Sequence, residues 1–83
     1  MKQINTEKRY RIQSGSFSVK ANAINLENRL KQAGFQTCII QVYGLYKVQL
    51  GVFDNKSNAE SMLKKVKEDG FNAFVIYYLE GRN

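Results

Sequence analysis

The sequence contains an internal repeat with a fixed offset of 36 residues. The stretch YKVQLGVF at positions 46–53 repeats the pattern of YRIQSGSF at positions 10–17. The same offset pairs Gly34 with Gly70 and Phe35 with Phe71, and no gap is needed. Such self-similarity predicts two copies of one supersecondary unit, each with an apolar surface that it cannot bury alone.

The first copy predicts a strand and a helix. Residues 10–17 alternate with the two-residue period of a half-buried strand. Ser18 is a candidate N-cap for the helix, and Gly34 is predicted to end it in a Schellman motif that packs Phe35 back onto Leu30. Apolar residues recur between these ends at the three-to-four spacing of an amphipathic helix, namely Ala23, Leu26, Leu30 and Ala33.

The rest of the chain predicts three strands and a second helix. Residues 36–43 and 46–53 read as a hairpin, and residues 72–79 read as a nearly continuous apolar strand. Asp54 or Ser57 is the predicted N-cap of the intervening helix. The apolar stripe of this helix is Ala59, Met62, Leu63 and Val66.

The element order βαββαβ predicts an α+β fold. We expect a ferredoxin-like or RNP-like two-layer sandwich, built from two 36-residue repeats, in which both helices cover one face of a four-stranded antiparallel sheet. Residues 10–79 form the predicted domain. Residues 1–9 are expected to be a flexible linker or cloning remnant, and residues 80–83 a C-terminal tail.

Strand alternation assigns side chains to the two faces of this sheet. The apolar side chains of strands one and three must meet the helices, so their polar neighbours are predicted on the other side, here called the open face: Arg11, Gln13, Lys47 and Gln49. The 36-residue correspondence extends the assignment to strands two and four. It predicts Cys38, Ile40, Val42, Phe74, Ile76 and Tyr78 inward, and Thr37, Ile39, Gln41, Tyr43, Ala73, Val75 and Tyr77 outward.

The predicted open face combines amides, cations, apolar side chains and tyrosine rings. This mixture suits a sugar, whose C–H patches rest on apolar or aromatic surface while its hydroxyls exchange hydrogen bonds with amides. The alternative is an ordinary solvated sheet face, in which the glutamines are polar fillers of the alternation.

Charge and composition restrict the classes of function. The formal net charge of +6 favours a polyanionic partner such as nucleic acid, an anionic wall polymer or a lipid surface. Histidine is absent and the acidic residues of the predicted fold lie on helices, so we expect no enzyme, no metal site and no cofactor. The single cysteine, Cys38, is predicted to be a small buried hydrophobe. The sequence shows no membrane-spanning segment and no secretory signal.

A family resemblance rests on these features. The doubled motif Tyr-x-(Ile/Val)-Gln-x-Gly-x-Phe, an Asn-Ala pair early in the helix and the Gly-Phe helix end resemble the bacterial SPOR (sporulation-related repeat) domain over residues 10–78. The resemblance implies a monomeric, non-catalytic module that binds peptidoglycan glycan strands stripped of stem peptides. It also implies a parent protein in the cell envelope, at the wall, septum or spore wall, such as an N-acetylmuramoyl-L-alanine amidase, another cell-wall hydrolase or a division protein.

The resemblance also implies particular binding residues. Gln13 and Ser16 match the glutamine and serine through which the family contacts glycan, while Lys47 and Val75 match a basic or polar and an apolar position. Leu45 stands where several members have an aromatic residue, so a ring would come from Tyr43 or Tyr77 instead. The complete predicted glycan-binding set is Arg11, Gln13, Ser16, Ile39, Tyr43, Leu45, Lys47, Gln49, Val75 and Tyr77.

Two other functions stay open. A basic βαββαβ domain also has the layout of an RNA-recognition motif, although the outward positions of its central strands are Gln13, Lys47 and Gln49 where that module needs aromatic residues. A protein-interaction domain that uses the free edge of strand two or four is the third possibility.

Overall fold

The protein folds as the two-layer α+β sandwich that the sequence predicts. The computed structural model describes the backbone of residues 5–82 and the side chains of residues 9–77. Its sheet is antiparallel in the strand order β2-β3-β1-β4. The elements are β1 (Asn5–Phe17), α1 (Lys20–Gln32), β2 (Cys38–Val42), β3 (Leu45–Phe53), α2 (Lys56–Glu68) and β4 (Phe74–Arg82).

The outer strands are longer than predicted. β1 and β4 pair from Asn5 opposite Arg82 to Gln13 opposite Phe74, so residues 5–9 and 80–82 lie in paired strands and not in a linker and a tail. These segments are polar and show no alternation, so the sequence did not indicate strands there. Main-chain hydrogen bonds alone can extend a pair of strands without apolar side chains. Residues 1–4 and 83 lie outside the described residues.

Both helices end as predicted. The N–H of Phe35 donates to the carbonyl of Leu30 at 3.0 Å and that of Gly34 to Lys31 at 3.0 Å, which is the Schellman pattern. The N–H of Phe71 repeats the first bond to Val66 at 3.2 Å. The two helices have equal lengths and bounds offset by 36 residues, although the internal repeat as such stays a prediction.

The predicted N-caps were wrong. Val19 occupies the N-cap of α1 and makes no side-chain hydrogen bond to the helix, so Ser18 does not cap it. Asn55 caps α2, and its Oδ1 accepts from the N–H of Ser57 at 2.7 Å. Asparagine caps as well as aspartate or serine do, so residue type alone could not distinguish Asn55 from the predicted Asp54 and Ser57.

The core lies between the helices and the central strands. Ile12, Val48 and Leu50 from the sheet pack with Leu30 of α1 and Val66 of α2, and all five are essentially inaccessible to solvent. The predicted helical stripes therefore face the sheet, except that Ala33 at the end of α1 is exposed.

Two irregularities interrupt the pairing of β1 with β3. The register shifts at Ser14, which lies between the paired residues Gln13 and Gly15, and again at Gly51. A Cβ at position 15 would lie 2.7 Å from the ring of Phe17, so any larger residue there requires the neighbouring side chains to move. Because of the first shift, Gly15 faces the helices and Ser16 reaches the open face opposite Lys47.

Candidate functional site

The open face carries a depression at its centre. Its volume is about 520 Å³, and its lining comes from all four strands: Arg11, Gln13, Ile40, Val42, Lys47, Gln49 and Ile76. Arg11, Gln13, Lys47 and Gln49 thus lie on the face where the alternation of strands one and three places them. The central strands β1 and β3 supply the polar floor, and the edge strands β2 and β4 supply the apolar walls.

A chain of hydrogen bonds crosses the floor of this depression. Gln13 and Gln49 are direct partners in the β1–β3 register. The guanidinium of Arg11 donates through Nη1 to Oε1 of Gln49 at 3.3 Å, and Nε2 of Gln49 donates to Oε1 of Gln13 at 3.2 Å. The glutamines are only 6% and 7% exposed, so they are not solvated fillers of the alternation. We call these three residues the amide relay.

Apolar side chains of the edge strands flank the relay. Residues directly opposite each other in antiparallel strands share a face, and here Phe74 lies opposite Gln13 and Ile76 opposite Arg11. Ile40 lies opposite Lys47 on the other side. Phe74 is 53% exposed, so an aromatic residue lies on the open face beside Gln13, next to the residues that line the depression.

The face assignment of the edge strands was wrong. Ile39 lies opposite Val48 and Val75 opposite Ile12, and both pack against the core on the helix side. Ala73 also packs there. Because β2 and β4 are apolar at both parities, polarity could not select their inward side, and the register with the central strands decides it.

Two further predictions fail for the same reason. Tyr77 lies opposite Tyr10 on the helix side, and their rings meet edge to face at a centroid distance of 5.6 Å. Cys38 is exposed and not buried, since it lies opposite Gln49 on the open face of an edge strand. The side chain of Tyr78, predicted inward, lies outside the described residues.

The remaining residues of the predicted glycan-binding set lie on or beside the open face, whereas Gln41, also predicted outward, lies opposite Tyr46 on the helix side. Ser16 is exposed opposite Lys47, and Leu45 is exposed opposite Val42 at the end of the hairpin. Tyr43 lies in the β2–β3 turn with a φ of 50° and is 100% exposed. Sequence reasoning assigned five residues of this face to the helix side, and only the pairing register could have placed them correctly: Cys38, Ile40, Val42, Phe74 and Ile76.

The charged residues in the described lining of the depression are cations. Arg11 and Lys47 line it, and its lining includes no carboxylate among the side chains that the structure describes. The nearby cation Arg9 is engaged by Asp54, with Nη1 2.6 Å from Oδ1. Within residues 9–77, whose side chains the structure describes, no group of three or more acidic, cysteine or histidine residues could hold a metal ion. No helix in this part of the chain has the length and apolarity that a membrane crossing requires.

Comparison with known families decides the identity. The sequence model of the SPOR domain matches residues 6–77, which is most of the chain. The chain belongs to the SPOR domain family. The resemblance found in the doubled motif is therefore confirmed.

A solved structure supports the assignment to the SPOR family. The chain is similar to the solution structure of the peptidoglycan binding domain of the B. subtilis cell wall lytic enzyme CwlC, with 38% identity and a TM-score of 0.81. The similarity covers 94% of this chain and 99% of that one. No curated protein sequence matches the chain. Family and neighbour together confirm the prediction of a binding domain as opposed to an enzyme.

Proposed function

We propose that this SPOR domain binds the glycan strands of peptidoglycan on its open face and prefers strands that lack stem peptides. The observation that carries the proposal is the amide relay, which lies in an open depression between apolar walls. The similarity to the peptidoglycan binding domain of CwlC supports the same ligand class.

The chemistry of the depression matches that of a sugar chain. Phe74 and Ile76 offer surface on which the C–H patches of a pyranose ring can rest. The amides of Gln13 and Gln49 and the hydroxyl of Ser16 can exchange hydrogen bonds with sugar hydroxyls and acetamido groups. The depression extends over strands from both halves of the domain, so it suits an extended polymer better than a single sugar.

The preference for denuded strands follows from shape and charge. When an amidase cuts the bond between the lactyl group of muramic acid and the first amino acid, the sugar loses a bulky substituent and regains a carboxylate. The thinner strand can lie flat across the sheet, and its carboxylates can approach Lys47 and Arg11. A stem peptide would hold the glycan away from the depression.

Such binding would give the domain a targeting role. A parent protein that carries it, such as a cell-wall hydrolase or a division protein, would be held in the cell envelope wherever denuded strands accumulate, for example at a septum or a spore wall. The domain is proposed to act there as a monomer, since one depression is complete within one chain.

Cosedimentation with purified wall sacculi tests the proposal. The protein is expected to sediment more strongly with amidase-treated than with untreated sacculi, and Gln13→Ala should weaken this binding. Gln41→Ala is a matched control, because Gln41 is exposed but lies opposite Tyr46 on the helix side. Equal sedimentation with both kinds of sacculi would refute the preference. Binding to RNA in place of sacculi would favour the RNP-like alternative.

A further inference from the structure

We infer that Arg11 and Gln49 act as positioning residues that fix the orientation of the Gln13 amide, so that the floor of the depression presents hydrogen-bond donors and the group it recognises is an acceptor. The inference rests on the proposed glycan-binding function and deepens it. It assigns separate roles to three residues that the sequence groups together as one binding set.

The orientation of the relay follows from the chemistry of the guanidinium. An arginine side chain has only donors, whereas a glutamine amide has an oxygen acceptor at one end and a nitrogen donor at the other. Gln49 must therefore turn its oxygen toward Arg11, as the 3.3 Å bond shows. Its nitrogen then faces Gln13, whose oxygen accepts at 3.2 Å. Reversing either amide would place two donors or two acceptors against each other.

In this arrangement both glutamine amide oxygens accept hydrogen bonds, while some of the amide N–H groups have no partner within the relay. Oε1 of Gln49 is bonded to Arg11 and Oε1 of Gln13 to Gln49. Nε2 of Gln13 has no hydrogen-bond partner among the side chains and backbone that the structure describes, although the residue is only 6% exposed. Among the described side chains, only Thr37 Oγ1 is sealed from solvent without a hydrogen-bond partner, so Nε2 of Gln13 keeps some contact with solvent. Nε2 of Gln49 likewise retains a second N–H.

The other polar groups of the lining are also hydrogen-bond donors. Arg11 and Lys47 are donors only, and no carboxylate accompanies them in the described lining. The Nε2 group of Gln13 is nearly buried and has no described partner. It favours a ligand with a hydrogen-bond acceptor, because leaving such a donor unsatisfied costs free energy. Sugar hydroxyls both donate and accept, so the oxygens of the glycan side groups that only accept are those of the lactyl carboxylate of muramic acid and of the N-acetyl carbonyl.

The relay can be tested in the free protein by NMR of the side-chain amides. We expect one Nε2 proton of Gln49 to exchange slowly with solvent, compared with the exposed Gln32, Gln36 and Gln41 of the same chain. In Gln49→Glu the carboxylate accepts from Arg11 and also requires a donor from Gln13, so the Gln13 amide should reverse and its protons should become protected. Free exchange at Gln49 in the wild type, or an unchanged Gln13 signal in Gln49→Glu, would overturn the relay.

Binding tests use two variants that each remove one positive charge from the depression, Arg11→Met and Lys47→Met. The probe is amidase-denuded glycan strands in about 1 M salt, where the screening length falls to about 3 Å. Lys47→Met should then lose about twofold in binding, because the charge that it removes is largely screened. Arg11→Met should bind about five- to tenfold more weakly, because the Gln13 amide is no longer oriented. Equal losses in the two variants would overturn the positioning role.

Soluble oligosaccharides identify the acceptor. Oligomers of N-acetylglucosamine carry acetamido carbonyls without carboxylates, so binding to them as tight as to denuded strands assigns the acceptor to the N-acetyl group, and weaker binding assigns it to the carboxylate. Chitosan oligomers have the same backbone with ammonium donors, and equal binding to chitosan would overturn the inference. If the wild type binds no glycan at all, the proposed function fails, while the exchange measurement still decides the relay.

Discussion

At the residue scale, Gln13 has two roles that exposure alone would not reveal. Its oxygen accepts a hydrogen bond from Gln49, and the residue also lines the depression of the open face. A side chain that is both buried and part of the candidate site is expected to affect stability and binding together. Ser16 lies on the same face but is exposed, so we expect it to contribute little to stability.

We predict that Gln13→Ala weakens glycan binding and also lowers the free energy of unfolding by about 1 to 3 kcal/mol, because it leaves the buried Nε2 of Gln49 without its acceptor. Chemical denaturation and sacculus cosedimentation measure the two effects. Ser16→Ala should weaken binding with a stability change within about 0.5 kcal/mol. A Gln13→Ala protein as stable as the wild type would show that the relay does not stabilise the sheet.

Lys47 is predicted to tune binding through charge. Lys47→Gln should weaken binding to amidase-treated sacculi by about 0.2 to 1 kcal/mol at low salt, the usual range for an exposed ion pair. The salt dependence of the variant should be shallower than that of the wild type, since one charge contact is lost. Titration at several salt concentrations measures both, and superimposable curves for the two proteins would contradict the pairing.

At the element scale, the helix ends show how strongly a short motif can specify structure. Gly34 and Gly70 have φ values of 98° and 91°, and nothing lies within 4 Å of a Cβ built at either position. Only backbone conformation, and not space, requires glycine there. The sequence pair Gly-Phe therefore predicted both helix ends from local chemistry alone.

Gly34→Ala should accordingly lower the free energy of unfolding by about 1 to 2 kcal/mol through left-handed backbone strain, although the added methyl meets no neighbour. Gly15→Ala should cost more, since its Cβ would lie 2.7 Å from the ring of Phe17 and 2.9 Å from Leu26. Thermal unfolding of both variants compares the two mechanisms. A cost at Gly34 equal to or above that at Gly15 would be the contrary result.

The strands show where sequence reasoning stops. The central strands alternate in polarity, so the inward positions of Ile12 and Val48 and the outward positions of Gln13 and Gln49 followed from parity. The edge strands are apolar at both parities, and the choice between Phe74 and Val75 depends on which of them lies opposite Ile12. That register depends on tertiary structure and cannot be predicted from the strand sequences alone. The same holds for the irregularity at Ser14, which brings Ser16 to the open face.

At the scale of the whole molecule, one small core supports the open face. Leu30 and Val66 bring the helices against the strands whose other side holds the relay. We predict that Leu30→Ala lowers the free energy of unfolding by about 2 to 5 kcal/mol, a large share of the stability of a small domain. Ile24→Ala, on the exposed side of the same helix, should change it by about 0.5 kcal/mol or less. Equal costs in denaturant titrations would contradict this packing.

The fold class could be predicted from sequence because repeat, periodicity and turn chemistry all indicate the same layers. The polar half of the candidate site, including Arg11 and Lys47, could also be placed. The apolar half could not, since Ile40 and Ile76 resemble core residues until the strand register shows that the helices lie on the other side.

The most direct test of the central claim is a backbone and side-chain amide NMR titration of the protein with amidase-denuded glycan strands. The account predicts shift changes that concentrate on the open face, at Gln13, Ser16, Lys47, Gln49 and Phe74, with little change on the outer surfaces of α1 and α2. Shift changes centred on the helices, or none at concentrations where the protein sediments with treated sacculi, would contradict it.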